Sequence, residues 1–325
     1  MKILITGGAG FIGSNLTKVL LINPELHIVC FDDFGDNTEQ KYINIRPFLV
    51  YENFTLIKGN ICEANDLSKI THIDVVIHLA AKTNVRASIA DAPLYYKINI
   101  SGTRNVLEFA RSRQIKQFIF ASSSSIYGNN PNTPWQEKED PSPISPYAYS
   151  KLVCEKMGRF YSDKYGMRFI ALRFFNVVGP AQRSDLAAHV FFKSILNEHP
   201  VTVWGNGSNS RDYTFVGDIV QGIASSIWYN RSDFEVINLG SQTPIQIIEL
   251  IHIIEIVCKK KAIINYGPEQ LGDLAVTHAS ITKAKKLLDY SPKVKLHTGL
   301  KELYSWIIKN EAAFNNNYLS KKYHA

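Results

Sequence analysis

Lys2-Ile-Leu-Ile-Thr-Gly-Gly-Ala-Gly-Phe-Ile-Gly13 is the stretch that decides the fold. Apolar and β-branched residues form a short strand, and Gly7, Gly10 and Gly13 follow at GxxGxxG spacing. Ser14-Asn-Leu-Thr-Lys-Val-Leu-Leu21 then reads as a helix. The first glycine allows a sharp turn, the second lets the backbone approach a pyrophosphate, and the third lets helix pack closely on strand. The helix N-terminus then faces the phosphate charge. The next strand, His27-Ile-Val-Cys-Phe31, ends in Asp32 and Asp33. A carboxylate there accepts from a ribose 2′-OH and repels a 2′-phosphate, so the expected cofactor is NAD rather than NADP.

Outward from this stretch, apolar runs alternate with helical segments: Phe54-Thr-Leu-Ile57, Asp74-Val-Val-Ile-His-Leu79, Gln117-Phe-Ile-Phe-Ala121 and Arg168-Phe-Ile-Ala-Leu-Arg-Phe174, with helices near 91–112 and 147–165. Strands that are apolar throughout and joined by helices imply a parallel sheet covered on both faces. The fold class expected is α/β, a doubly wound Rossmann domain with a smaller mixed α/β lobe. After Phe175 the connections turn Gly-, Pro- and Asn-rich, which places a nucleotide-binding domain over 1–175 and about 212–239. The lobe would then hold 176–211 and 240–325, over the carboxyl ends of the strands where such sheets bind ligands.

Composition narrows the class. The chain has 325 residues, a net charge of +7, 45% hydrophobic and 20% charged residues, ordinary values for a soluble globular protein. Lys and Arg are dispersed, and the densest cluster, Lys259-Lys-Lys261, suits a helix end better than nucleic acid. Cys30, Cys62, Cys154 and Cys258 show neither CxxC pairing nor zinc spacing, so no metal site is expected and the thiols read as reduced, in a cytoplasmic protein. Met1 leads straight into the first strand without a signal segment, and the most apolar helix, 245–258, is interrupted by Glu249, His252 and Glu255. A membrane span is therefore not expected.

Two further constellations carry chemistry. Ala121-Ser-Ser-Ser-Ser-Ile-Tyr-Gly128 closes an apolar strand, and Tyr147-Ala-Tyr-Ser-Lys151 opens a helix, where positions i and i+4 share a face. A phenol of ordinary pKa ~10 is a poor base at neutral pH. An adjacent ammonium and a nicotinamide cation would favour its phenolate, and a drop of ~3 units needs ~4 kcal/mol.

GGAGFIG, Asp32, the serine run and YxxxK together resemble the extended short-chain dehydrogenase/reductases, specifically the NAD-dependent sugar-nucleotide epimerases and dehydratases. The resemblance extends over nearly the whole chain through His78-Leu-Ala-Ala81, Asn99-Ile-Ser-Gly-Thr103, Arg173-Phe-Phe-Asn-Val-Val-Gly-Pro180, Arg211-Asp-Tyr213 and Leu271-Gly-Asp273. It implies Tyr147 as catalytic base, Lys151 as its partner and a ribose ligand, and Ser123 with Ser124 beside the sugar 4-OH. It implies a cofactor site of Gly7, Gly10, Phe11, Ile12, Gly13, Asp32, Asp33, Asn60, Ile61, Leu79, Ala80, Ala81 and Asn99, together with Tyr147 and Lys151. Asn60 stands where the group has an aspartate beside adenine.

The serines select among reactions of the group. Its dehydratases carry an Asp-Glu pair after the residue matching Ser123, and its decarboxylases a glutamate at the position of Ser125. This chain has Ser124 and Ser125 there, leaving C4 oxidation and return of hydride to the other face, a 4-epimerisation. By the same resemblance Asn176, Arg211 and Gln270 lie near the substrate diphosphate, Trp204 beside uracil, and Ser125 and Asp273 among the substrate-binding residues. Gly179-Pro-Ala-Gln-Arg-Ser-Asp-Leu-Ala187 is similar to a segment of UDP-glucuronate 4-epimerases and makes Arg183 the candidate for the C6 carboxylate. Ser184 replaces that segment's proline. A guanidinium fork would hold still a carboxylate that a 4-keto uronic acid otherwise loses readily. The expected reaction is UDP-glucuronate to UDP-galacturonate in a homodimer joined through the helices near 91–112 and 147–165, supplying sugars for surface polysaccharide. UDP-glucose or UDP-N-acetylglucosamine is the alternative substrate. A non-catalytic NAD-binding sensor is a remote alternative that the intact Ser123, Tyr147 and Lys151 argue against.

Overall fold

The computed structural model describes residues 1–36, 38–269 and 274–322. Seven strands form one parallel sheet: β1 (Lys2–Thr6), β2 (His27–Asp32), β3 (Phe54–Lys58), β4 (Val75–His78), β5 (Gln117–Ser123), β6 (Arg168–Phe174) and a late strand, Phe234–Leu239. Their spatial order is the late strand, β6, β5, β4, β1, β2, β3. The direction of winding reverses between β1 and β4, so a crevice opens beyond their carboxyl ends, where ligands bind in such sheets. The strands are apolar because helices cover both faces. Ile3, Ile5, Ile28 and Ile77 pack into one core, and Leu4, Val29, Val76 and Phe120 into another.

A three-stranded sheet and a two-stranded sheet build the smaller lobe. The first joins Asn176–Val178, Ser210–Phe215 and Pro244–Gln246, and the second pairs Val201–Trp204 with Ile264–Gly267. They enclose a separate core with helices Ala187–Leu196 and Ile247–Cys258, containing Phe192, Val203, Leu250 and Leu303.

The chain crosses between lobes more often than the sequence reading has it. The strand Ser210–Phe215, which straddles the expected return at 212, belongs to the small sheet. Beyond Pro244, Ala279, Ile281, Ala284, Leu288 and Tyr290 go back into the large core. Those late residues carry no glycine motif, only an apolar face that packs against the edge strand Phe234–Leu239, so the return is legible only in three dimensions. No described helix is long and apolar enough to cross a membrane.

Candidate active site

The glycine turn is held by its own backbone. Gly7 N–H donates to Phe31 C=O at 2.8 Å, and Gly10 N–H to Gly7 C=O at 3.1 Å. Gly7 has φ +71°, and a Cβ there would lie 2.7 Å from the Ala80 nitrogen. A Cβ at Gly13 would collide with the Gly7 carbonyl oxygen and lie 2.7 Å from Gly8 Cα, so helix Phe11–Leu20 seats only with glycine. At Gly10 the sole neighbour within 4 Å of such a Cβ is the Gly7 oxygen at 3.2 Å. The space beyond opens on the cleft at a helix N-terminus, as a pyrophosphate requires.

Asp32 is buried at the end of β2. Its Oδ2 accepts from Ala9 N–H at 3.1 Å, and Oδ1 accepts from Phe34 N–H at 3.0 Å and Lys41 Nζ at 2.8 Å. A carboxylate has about four acceptor positions, so three bonds leave one for a ribose hydroxyl. Lys41 comes from helix Thr38–Ile45, and Lys82 pairs with Asp36 at the same end of the cleft. Sequence reading missed both lysines, because neither belongs to a motif and each reaches the site by its own side-chain length.

All the described residues singled out for the cofactor line one cleft of about 1440 Å³, with a single exception. Asn99 sits behind the wall. Its amide donates to Lys82 C=O at 3.0 Å and accepts from Lys82 N–H at 2.8 Å, so it shapes the loop after β4 from the back. His78, inside β4, is likewise structural. It bonds Thr6 Oγ1 at 2.6 Å and Thr103 Oγ1 at 2.9 Å, and burial holds its imidazole down to about 3, hence neutral.

The residues expected to react come from the next two elements. Alternation along β5 sends Ser122 to the helix behind, where its hydroxyl donates to Glu155 at 2.5 Å, and turns Ser123 toward the cleft. Ser123 caps a short 3-10 turn, Ser124–Tyr127, accepting from Ser125 N–H at 3.2 Å. Helix Pro146–Tyr165 starts at Ser145, whose hydroxyl accepts from Ala148 N–H, with Pro146 at its first position, and ends at Gly166 in the left-handed conformation. That start places Tyr147 and Lys151 one turn apart on the cleft wall.

Here the structure qualifies the expected phenolate. Burial lifts the Tyr147 phenol above its ordinary value, while a hydrogen bond to Ser123 and the charge of Arg183 pull it back only in part. Lys151 Nζ donates to Ala121 C=O at 2.8 Å, and burial brings it down to about 8. The sequence places the two residues on one face but does not reveal that the ammonium is committed to a strand carbonyl. The protein's own help for the phenolate comes from Ser123 and, unexpectedly, from Arg183.

Asn176, Arg183, Trp204, Arg211 and Ser123 through Ser125 line the same cleft, although they come from both lobes. Asn176 accepts from Thr277 Oγ1 at 3.3 Å. Trp204 is 37% exposed, and Gly267 lies close against its ring, where a Cβ would stand 2.6 Å from it. Gln270 and Asp273 lie outside the described residues. No cluster of His, Cys, Asp and Glu suited to a metal occurs among the described residues. Tyr95, which no motif flags, meets Tyr147 edge to face at 6.4 Å and bonds the carbonyls of Thr83 and Asn84.

The glycine turn, the buried Asp32 carboxylate and the Ser123, Tyr147 and Lys151 side chains thus line one cleft. Known proteins are similar to this chain over nearly its whole length. The UDP-glucuronate 4-epimerase of Thermodesulfobacterium geofontis is 35% identical over 313 residues, covering 94% of this chain and 96% of that one. The crystal structure of UDP-glucuronic acid 4-epimerase from Bacillus cereus in complex with UDP-glucuronic acid and NAD superposes with a TM-score of 0.89 at 35% identity, over 95% of this chain and 99% of that one. The UDP-N-acetylglucosamine 4-epimerase from Methanobrevibacter ruminantium M1, in complex with UDP-N-acetylmuramic acid, gives 0.88 at 31% identity, over 95% and 98%. With residues 3–240 matching its family model as well, this chain belongs to the NAD dependent epimerase/dehydratase family.

Proposed function

We propose that this protein is an NAD-dependent 4-epimerase of UDP-hexuronates, interconverting UDP-glucuronate and UDP-galacturonate. The observation that carries this reading is Arg183, whose guanidinium reaches the wall that holds Tyr147 and Ser123 and whose charge acts on the Tyr147 phenol. The cleft exceeds the ~300–1,000 Å³ of a pocket for one small molecule, as two nucleotides require.

NAD fits the residues present. The crowded backbone at Gly7 and Gly13, the open side of Gly10 and the remaining acceptor of Asp32 would hold its pyrophosphate and ribose. When bound there it supplies the reversible oxidation of C4. Tyr147 takes the proton of the sugar 4-hydroxyl as C4 is oxidised and returns it after the 4-keto sugar has turned over. Ser123, on the same cleft wall as Tyr147, would hold the same oxygen. Ser124 and Ser125 offer hydroxyls rather than carboxylates, so the chain has no acid–base pair there for eliminating water. Arg183 would grip the C6 carboxylate and keep its bond to C5 out of line with the C4 carbonyl, which suppresses loss of CO₂. Asn176 and Arg211, which line the cleft, would hold the diphosphate, and Trp204 would stack on the uracil face.

A neutral UDP-sugar is the second reading, favoured by the ion pair that Arg183 already makes with Asp185 at 2.9 Å. Proton NMR of the protein with UDP-glucuronate, UDP-glucose and UDP-N-acetylglucosamine separates the two. Conversion of UDP-glucuronate to its galacto isomer without UDP-pentose is expected, and Arg183→Ala should cripple that conversion. Turnover of a neutral sugar alone refutes the uronate reading and keeps the Tyr147 chemistry.

The same reading includes a homodimer through the helices that carry Tyr96 and Tyr149. Tyr96, Tyr149 and Phe160 are 37%, 50% and 55% exposed, and the two tyrosine rings meet at 6.1 Å. Light scattering is expected to give twice the chain mass. A cytoplasmic setting accords with four unpaired cysteines.

A further inference from the structure

Asp185 lies two residues beyond Arg183 and grips one edge of its guanidinium. Nε donates to Oδ1 at 2.9 Å and Nη2 to Oδ2 at 3.1 Å. Nη1 donates to Thr83 Oγ1, and Asn84 Nδ2 donates to Asp185 Oδ2 at 3.4 Å. Of the five guanidinium N–H groups, these bonds use three and leave one on each terminal nitrogen. Burial works against the Asp185 charge, but the Arg183 bonds prevail and keep its carboxyl below the usual carboxylate range, so it is anionic at neutral pH. The Arg183 and Asp185 side chains are 28% and 44% exposed, both on the cleft wall.

We propose that Asp185 is a specificity-determining residue that fixes the plane of Arg183 while offsetting part of its charge, which tempers the advantage of an anionic sugar over a neutral one. The inference rests on the reading that Arg183 faces the sugar C6. A carboxylate brought to the two free N–H groups shares one guanidinium with a second carboxylate, and each weakens the other's hold. A sugar with an uncharged C6 meets no such competition. The arrangement has a kinetic use, because both forms of a hexuronate carry the carboxylate and the product must leave as readily as the substrate arrives.

The test is Asp185→Asn, which keeps an acceptor for Nε and removes the charge. UDP-glucuronate and UDP-glucose are each titrated calorimetrically into the NAD-loaded wild type and variant. Kd for UDP-glucuronate is expected to fall on the order of tenfold, and Kd for UDP-glucose to stay within about twofold. Asp185→Ser should move the ratio in the same direction. An unchanged ratio overturns the proposal, and so does equal weakening of both ligands, which would mark Asp185 as a prop for its loop. If the wild type converts UDP-glucuronate while the ratio stays flat, this inference alone falls. If the ratio shifts but UDP-glucuronate is never converted, the substrate reading falls and the role of Asp185 stands.

Discussion

Glu155→Gln tests the internal support of the helix that carries Tyr147 and Lys151. Glu155 lies two turns beyond Lys151's neighbour Tyr147 on the same helical face, at i+8, and its carboxylate is enclosed behind β5 and β6. It accepts from Arg173 Nε at 2.9 Å, Arg173 Nη2 at 2.8 Å and Ser122 Oγ at 2.5 Å. The two charged side chains are only 5% and 4% exposed, and the guanidinium carbon sits 4.8 Å above the Tyr127 ring. Glutamine keeps the shape and one acceptor oxygen but strands the Arg173 charge in a dry site, where its Nη1 already has no hydrogen-bond partner. Breaking such a pair from one side costs about 3–5 kcal/mol. At roughly 2 °C per kcal/mol for a chain of this size, the melting temperature should fall by about 6–10 °C. Calorimetry of the NAD-loaded protein at pH 7 reads it. Glu155→Leu with Arg173→Met removes both charges and should recover most of the loss, ending within about 2 kcal/mol of wild type. A shift below about 2 °C for Glu155→Gln, or a double variant no better than the single one, refutes the reasoning.

Lys151 gives a pH signature. Its folded value of about 8 lies below the ordinary 10.5, so between those values the unfolded chain binds a proton that the folded chain does not. Stability should therefore rise with pH across that window, by up to about 3 kcal/mol, and Lys151→Met should flatten the rise in denaturant titrations. Buried tyrosines such as Tyr127, pushed up to about 12, oppose the trend above pH 10, so the slope is best read between pH 8 and 10. Arg183→Gln removes a charge that favours the Tyr147 phenolate. The rising limb of kcat should move to higher pH even with a neutral sugar, and an unmoved limb would contradict that coupling. Gly13→Ala must push helix Phe11–Leu20 off the Gly7 turn. The purified variant should lose bound NAD, seen as loss of cofactor absorbance, and retention would refute the cradle. Tyr147→Phe should lower kcat by about 10²–10⁴ with Kd for UDP-sugar little changed, the range of a lost general base.

Much of this protein follows from local sequence alone. The GxxGxxG turn, the buried apolar strands and the i, i+4 pair Tyr147–Lys151 each obey a short-range rule of backbone conformation or periodicity, so the sequence specifies the Rossmann half and the pairing of its candidate acid–base residues without reference to the rest of the chain. Tertiary structure decided what depends on residues distant in the chain meeting in space. Asn99 matches a motif yet supports Lys82 from behind the wall, and Asp32 spends part of its acceptor capacity on Lys41. The return of 279–290 to the large core depends on which edge strand it meets. The character of Arg183 depends on Thr83, a hundred positions away, and on an Asp185 that bends back to pair with it. Electrostatics explains the division: whether a side chain can be charged, and what it can still bind, depends on every group packed around it, and only folding assembles that set.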